Sequence, residues 1–536
     1  MRNSRSMSTR PGRTGAAVLL AVLSAMAIVS VSCSGDDGPD TADGAPTTAA
    51  EQTGSDPGDG PERECDGSVE SPDTRFIVDT CGRVVILRGV NVESSSKGDS
   101  QDGDHLPKSG IDGQAALTNW GWNTVRFLVF WGPLEPEEGR YDETYLDGVE
   151  RWLDYYADHD IHVVLDMHQD LYGWTIGGDG APDWAVDSKG LIPGPVDESM
   201  PWYVKGADPA VQAAYQSFWN PTEGQPDLKQ KYLAALTHLA DRFKDHPAVI
   251  GYDVMNEPAF ANGDLTETLA IQSEAAAGRF QNENLTEFMQ GGIDAVRAVD
   301  QNSWVFVEPT SLLNAFPYAG DLIESSLTDP REGPPRLVYA GHLYEPAVHD
   351  GAGYAEGSTY LEQWWSMRPA EAAEMNAALW FGEWGGSPEQ DRMADYITEV
   401  LRASDSAMAG WAWWSWDPGG WSPIAEDLTT ETANGTALKW VQPRAIAGTP
   451  TAFGWDRDAG RFTLEWTERV EAVGTTDIAV PAGLFAEGIE VVVDHDVVES
   501  PEWDQQRSVL SLEVDRSLAD HTVCIAAAGS GACPAG

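Results

Sequence analysis

The chain has 536 residues, more than one average domain needs, with 33 Lys+Arg against 86 Asp+Glu and a formal net charge of -53. So acidic a surface repels other polyanions, which argues against nucleic-acid partners, and the acid is read as a solvated surface suited to salt or extracellular life. No CxxC or HExxH spacing occurs and the 10 His are scattered, so no metal or cofactor is expected.

Residues 1–33 read as an address rather than a fold. Arg2, Arg5, Arg10 and Arg13 precede an apolar run from Ala16 to Val31, the charged and hydrophobic parts of an export signal. Cys33 follows Ser32 and precedes Ser34 and Gly35, an arrangement that resembles a bacterial lipoprotein, although Ser30 stands where that signal usually has Leu. Two outcomes stay open: a lipid anchor through Cys33 at the cell surface, or ordinary cleavage and release as a secreted, extracellular protein. Residues 34–64 are acidic and rich in Pro, Thr, Ala and Gly, with almost no large apolar side chain, so a flexible tether is expected.

With Cys33 set aside, Cys65, Cys81, Cys524 and Cys533 remain, an even number for an oxidising compartment that allows three connectivities. Local pairing, Cys65 with Cys81 and Cys524 with Cys533, closes the shortest loops and is expected.

Between residues 65 and 445, short apolar runs alternate with amphipathic stretches, the pattern of repeated strand–helix units. The runs are VVILRGVN, NTVRFLVF, HVVLDMHQD, VIGYDVMNEP, SWVFVEPT, RLVYAGHLY, ALWFGEWGG and GWAWWSWD. Segments such as YLDGVERWLDYYADHD and LKQKYLAALTHLADRF place apolar residues at helical spacing between them. Eight strands with helices between them predict a (β/α)8 TIM barrel. Residues 446–536 change to short alternating strands with no helical period, from RFTLEWTE to HTVCIAAA, and predict a small C-terminal β-sandwich. A monomer is expected.

In such a barrel the residues closing each strand face the pocket. Asn91 closes the first run and Arg126 lies within the second. Asp166, His168 and Asp170 end the third, Asn256 and Glu257 the fourth, His342 and Tyr344 the sixth, Glu383 the seventh, and Trp416 with Asp417 the eighth. One polar strand end is unremarkable in a core; polar residues recurring at successive strand ends point to a site. Two of them, Glu257 and Glu383, are glutamates, which suggests glycoside hydrolysis by an acid and a nucleophile roughly 5–5.5 Å apart.

The set Arg126, His168, Asn256-Glu257-Pro258, His342-x-Tyr344, Glu383 and Trp416 resembles glycoside hydrolase family 5. That resemblance implies Glu257 as general acid/base, Glu383 as nucleophile and Asn256 as partner of the sugar 2-hydroxyl. It also implies Tyr344 against the nucleophile, His168 and His342 on sugar or acid/base, Arg126 orienting Glu383, and Trp416 stacking under the sugar. LDMHQDLYG, GDGAPDWAV, YQSFWN, HLYEP, the WWSWDPGGW block and PRAIAGTP are similar to endoglycoceramidases within that family, where Lys97 and Asp170 match sugar-contacting positions. In GEWGG, Trp384 replaces the usual Phe. The resemblance implies a glycolipid or oligosaccharide substrate, with the bond between oligosaccharide and ceramide as the one cut. Trp174, Ile176, Trp184, Trp202, Tyr203 and Trp219, in the insertion after the third strand, are candidates for a lipid groove. Two other readings are a β-glucanase or β-mannanase acting on polysaccharide and a glycan-binding lipoprotein without activity.

Overall fold

A computed structural model describes residues 65, 69–71, 73–195, 202–259, 284–311, 327–417 and 419–533. The expected signal, Cys33 and the tether lie outside the described residues. Among the described residues no helix is long and apolar enough to cross a membrane.

Every one of the eight runs contributes a barrel strand: β3 (Arg88–Val92), β4 (Thr124–Phe130), β5 (His162–His168), β6 (Val249–Asp253), β7 (Trp304–Val307), β8 (Leu337–Tyr339), β9 (Ala378–Trp384) and β10 (Gly410–Trp413). Neighbours pair in parallel and β10 returns to β3, with Trp411 opposite Arg88, closing the barrel. Parallel strands covered on both sides must be apolar almost throughout, and all seven residues of β4 are buried. The helices between them follow from spacing and capping. The helix Glu143–Ala157 buries Tyr145, Leu146, Val149, Trp152, Leu153 and Tyr156, and starts where the Asp142 carboxylate accepts the N–H groups of Thr144 and Tyr145. The helix Leu228–Phe243 repeats the device with Asp227 and the N–H of Gln230. Such a cap contributes about 1 kcal/mol.

The C-terminal region forms two antiparallel sheets. One contains β12 (Gly448–Asp456), β13 (Arg461–Glu468), β15 (Ile489–Val493), β16 (Asp496–Val497) and β19 (Asp520–Ala527). The other holds β11 (Gln442–Ile446), β14 (Thr476–Ala479), β17 (Glu502–Asp504) and β18 (Val509–Leu512), joined by a hairpin from the far end of the sequence, β1 (Ile77–Val78) and β2 (Val84–Val85). The run read as the first barrel strand is therefore split: Val84 and Val85 pair with Ile446 and Ala445, whereas Arg88 to Val92 enter the barrel. The two regions interlock further at Asp405, whose buried carboxylate accepts from Arg88 of β3 at 2.6 Å, from the Trp440 indole at 2.8 Å and from the N–H of Trp455 at 3.1 Å. The disulfides join Cys65 to Cys81 and Cys524 to Cys533, as local pairing predicts.

Candidate active site

Strand closure gathers at one mouth of the barrel residues that are hundreds of positions apart. Arg126, in the middle of β4, is fully buried and its guanidinium is the hub. Nη1 donates to Glu383 Oε1 at 2.8 Å and Asn91 Oδ1 at 3.1 Å; Nη2 donates to Asp253 Oδ2 and Asn256 Oδ1, each at 2.9 Å, and to Glu308 Oε1 at 3.0 Å. Asp166 Oδ1 is also 3.0 Å from Nη2. One cation thus faces four buried carboxyls. The excess is relieved in part at Asp253, where burial and Glu308 push the carboxyl well above the usual range against the pull of Arg126.

Glu383 lies within β9, and Tyr344 donates its hydroxyl to Glu383 Oε2 at 2.8 Å. Burial raises the Glu383 carboxyl above its ordinary range, and His342 and Arg126 pull it back. Glu257 follows β6 in a left-handed backbone conformation, φ 44°. Its N–H donates to Glu308 Oε2 at 2.8 Å and its carbonyl accepts from Gln169 Nε2 at 3.1 Å. His342 joins the two carboxyls: Nδ1 donates to Glu257 Oε1 at 2.8 Å and lies 3.6 Å from Glu383 Oε2, while Nε2 makes an ion-pair contact of 3.2 Å with Glu308 Oε1. Burial opposes charge on this ring, but Glu308, Glu383 and Glu257 outweigh it and hold His342 well above its ordinary value. One oxygen each of Glu257 and Glu383 lies within 4.8 Å of the other, a spacing suited to acid and nucleophile in a retaining displacement.

The sugar-binding candidates line one wall. His168 Nδ1 donates to Asp166 Oδ2 at 2.7 Å, and its ring stacks on Trp414 with centroids 5.6 Å apart at 11°. Burial disfavours its charge, yet Asp166 more than compensates and raises it to about 9. Lys97 donates to Asp170 and holds its ammonium 4.4 Å over the Trp414 ring. The turn bearing Lys97 is fixed by Asp417, whose carboxylate accepts the N–H groups of Ser94 and Ser95. Asn256 uses Oδ1 on Arg126 and one amide hydrogen on Gln169 O at 3.0 Å, so its second amide hydrogen remains to meet a ligand. Gly180, at φ 109°, lets the GDGAPDWAV segment pack on this wall: a Cβ there would sit 2.4 Å from Gln169 Cβ. His168, Asp170 and Asp179 bring ligand atoms within 4.8 Å of one another, as do Glu257, His342 and Glu383. Both groups hold resident cations, Lys97 in the first and Arg126 with His342 in the second.

Two expectations need correction. Trp416 is fully buried, its ring edge-on to Trp120 at 6.0 Å, and the half-buried indole that faces His168 and Lys97 belongs to Trp414. The candidate lipid groove is largely packing: Trp174, Ile176 and Trp219 are buried, Trp174 donating to Lys97 O and Trp219 to Ala259 O, and the half-buried Trp184 packs edge-on to Trp131 at 5.3 Å. The side chains of Trp202 and Tyr203 lie outside the described residues. Glu308, Asp253, Gln169 and Asp179 escaped sequence reasoning. Glu308 closes the fifth run, SWVFVEPT, and the strand-end rule applied there would have found it.

A family model described as cellulase (glycosyl hydrolase family 5) matches residues 103–420, and one for the glycoside hydrolase family 5 C-terminal domain matches residues 442–525. The chain is 28% identical to endoglycoceramidase I of Rhodococcus hoagii across 80% of this chain and 83% of that one. It is similar to the solved structure of endo-glycoceramidase II from Rhodococcus sp., with a TM-score of 0.74 and 32% identity over 85% of this chain and 100% of that chain. The complex of that enzyme with ganglioside GM3 matches with a TM-score of 0.75 and 31% identity over 85% and 99%.

Proposed function

This chain belongs to glycoside hydrolase family 5, and on that premise we propose that it is a retaining endo-β-glycosidase that cuts between the oligosaccharide and the ceramide of a glycosphingolipid. The observation that carries the mechanism is the pair of carboxyls with an oxygen of each within 4.8 Å of the other, held by different partners: Arg126 and Tyr344 on Glu383, His342 on Glu257. In the first step Glu383 attacks the anomeric carbon, the C–O bond breaks, and the departing ceramide oxygen takes the proton of Glu257. In the second, Glu257 removes a proton from water, whose oxygen displaces Glu383 and returns the sugar with its original β configuration. The ceramide reading draws its support from the named relatives, one of which was solved with a ganglioside.

The test is release of a fluorescent label from a ceramide glycoside beside hydrolysis of a soluble β-glucan. Turnover of the glycolipid supports the reading; turnover of the glucan alone makes the chain a polysaccharidase, and turnover of neither leaves a glycan-binding protein. Export belongs to the same proposal, with Cys33 as the anchor. Wild type should partition into the detergent phase, and Cys33→Ala should move activity to the medium; equal release of both would mean simple secretion.

A further inference from the structure

Glu308 directly follows β7 and is buried with both carboxylate oxygens engaged. Oε2 accepts the backbone N–H of Glu257 at 2.8 Å, and Oε1 lies 3.0 Å from Arg126 Nη2 and 3.2 Å from His342 Nε2. His342 in turn donates Nδ1–H to Glu257 Oε1 at 2.8 Å. One carboxylate therefore grips Glu257 twice, directly at its amide and through the imidazole at its carboxyl. The grip has a physical reason. Glu257 sits at φ 44°, a left-handed conformation that a side-chain-bearing residue keeps only where neighbours over-determine it.

We propose that Glu308 is a positioning residue for the acid/base, holding the Glu257 backbone in its left-handed turn and orienting His342 so that Nδ1–H is spent on Oε1. Oε1 is then an acceptor, and the transferable proton is carried on Oε2. When the glycosidic bond breaks, the electron pair goes to the leaving oxygen and the proton on Oε2 follows it. Glu308 touches no reacting atom in this scheme; it acts through Glu257 and His342. The inference rests on the reading of Glu257 as acid/base.

The experiment compares kcat/KM, which reports the steps up to the glycosyl-enzyme, on a glycosphingolipid and on a dinitrophenyl β-glycoside of the same sugar. Glu308→Gln keeps an amide oxygen for the Glu257 N–H and loses the charge beside His342. It should lose on the order of 10- to 100-fold on the glycolipid, whose leaving group needs a proton, and a few-fold at most on the aryl glycoside, whose leaving group does not. Because Glu308 acts through His342, the double variant with His342→Gln should be no slower on the glycolipid than His342→Gln alone. Equal losses on both substrates, or losses that multiply in the double variant, would overturn the proposal. If Glu308→Gln does not fold, His342→Gln carries the test by itself: it cuts the link to the carboxyl and must show the same split between substrates, and equal losses there count against the proposal in the same way. A wild type inactive on both substrates overturns instead the underlying assignment of Glu257.

Discussion

Tyr344 donates to Oε2 of Glu383 at 2.8 Å while Arg126 donates to Oε1 at the same distance, so each oxygen of this carboxylate has its own donor. The phenol is well suited to the task, because burial and the adjacent Glu383 charge hold its own ionisation well above the ordinary range. Two donors stabilise the charged carboxylate that burial would otherwise disfavour.

Glu383→Gln should therefore retain the fold and lose turnover. The amide oxygen can still accept from Arg126 and the amide nitrogen can face the Tyr344 oxygen, but a neutral amide does not attack the anomeric carbon. The expected loss in kcat is at least on the order of a thousandfold, with a cooperative thermal melt preserved in circular dichroism. Residual turnover within tenfold of wild type would remove Glu383 from the nucleophile's place.

Glu257→Ala should separate the two acids by chemistry. Loss of a general acid costs about 10²–10⁴ on a substrate with a poor leaving group and much less on an activated aryl glycoside. Azide needs no proton removed before it attacks, so it should restore turnover and yield a β-glycosyl azide identifiable by NMR. An α-azide would exchange the roles of Glu257 and Glu383.

The barrel was legible because each of its strands is apolar apart from a few residues such as Arg126 and Glu383, a pattern that needs no knowledge of partners. The division of the first run was not. Ile86 and Leu87 are as apolar and buried as Val84 and Val85 before them, and only the pairing of Val84 and Val85 with the C-terminal strand β11 shows that the chain changes sheets there. The site was legible one residue at a time, at the strand ends and at Arg126 within β4: Arg126, His168, Asn256, Glu257, His342, Tyr344 and Glu383 all converge. Their mutual contacts were not, since Arg126 meets Asp253 and Glu383 across 127 and 257 positions of sequence. β10 stops at Trp413, and neither the end of the eighth run nor the family motif tells which of Trp414 and Trp416 faces the pocket, so the expectation for Trp416 failed there. The aromatic insertion misled in another way: Trp174 and Trp219 are large enough to line a groove, but large indoles with a backbone acceptor at hand are equally good core.

Charge on His168 links stability to alkaline pH. Its folded value of about 9 exceeds the ordinary 6.5, so its contribution is fully present below about 6.5 and is lost as pH rises through about 9. The size is on the order of 3 kcal/mol. Asp179, raised to about 7 by burial and Asp170, produces a loss of the same sign at lower pH, so the informative window is from about 7.5 to 9.5. Urea midpoints of the wild type should fall across it, and those of His168→Gln should fall less steeply, the remaining slope carrying the contribution of His342, which has the same sign. Parallel slopes would mean that His168 is neutral in the folded protein.

Trp414 and Trp416 should fail in different ways. Trp414 is half-buried at the mouth with His168 stacked against it and the Lys97 ammonium above its ring, a surface on which an apolar sugar face can rest. Trp414→Ala should therefore raise KM and lower kcat/KM by roughly thirtyfold, about 2 kcal/mol of lost contact, with little change in melting. Trp416 has no exposed surface and packs edge-on to Trp120; Trp416→Ala should cost about 3–5 kcal/mol of stability as a core cavity, and the milder Trp416→Phe should keep most activity wherever the protein is folded. The pair of measurements is kcat/KM at a temperature where both variants are native, beside a urea melt. A Trp416→Phe enzyme that is stable but slow, with a Trp414→Ala enzyme that is fully active, would return the sugar platform to Trp416.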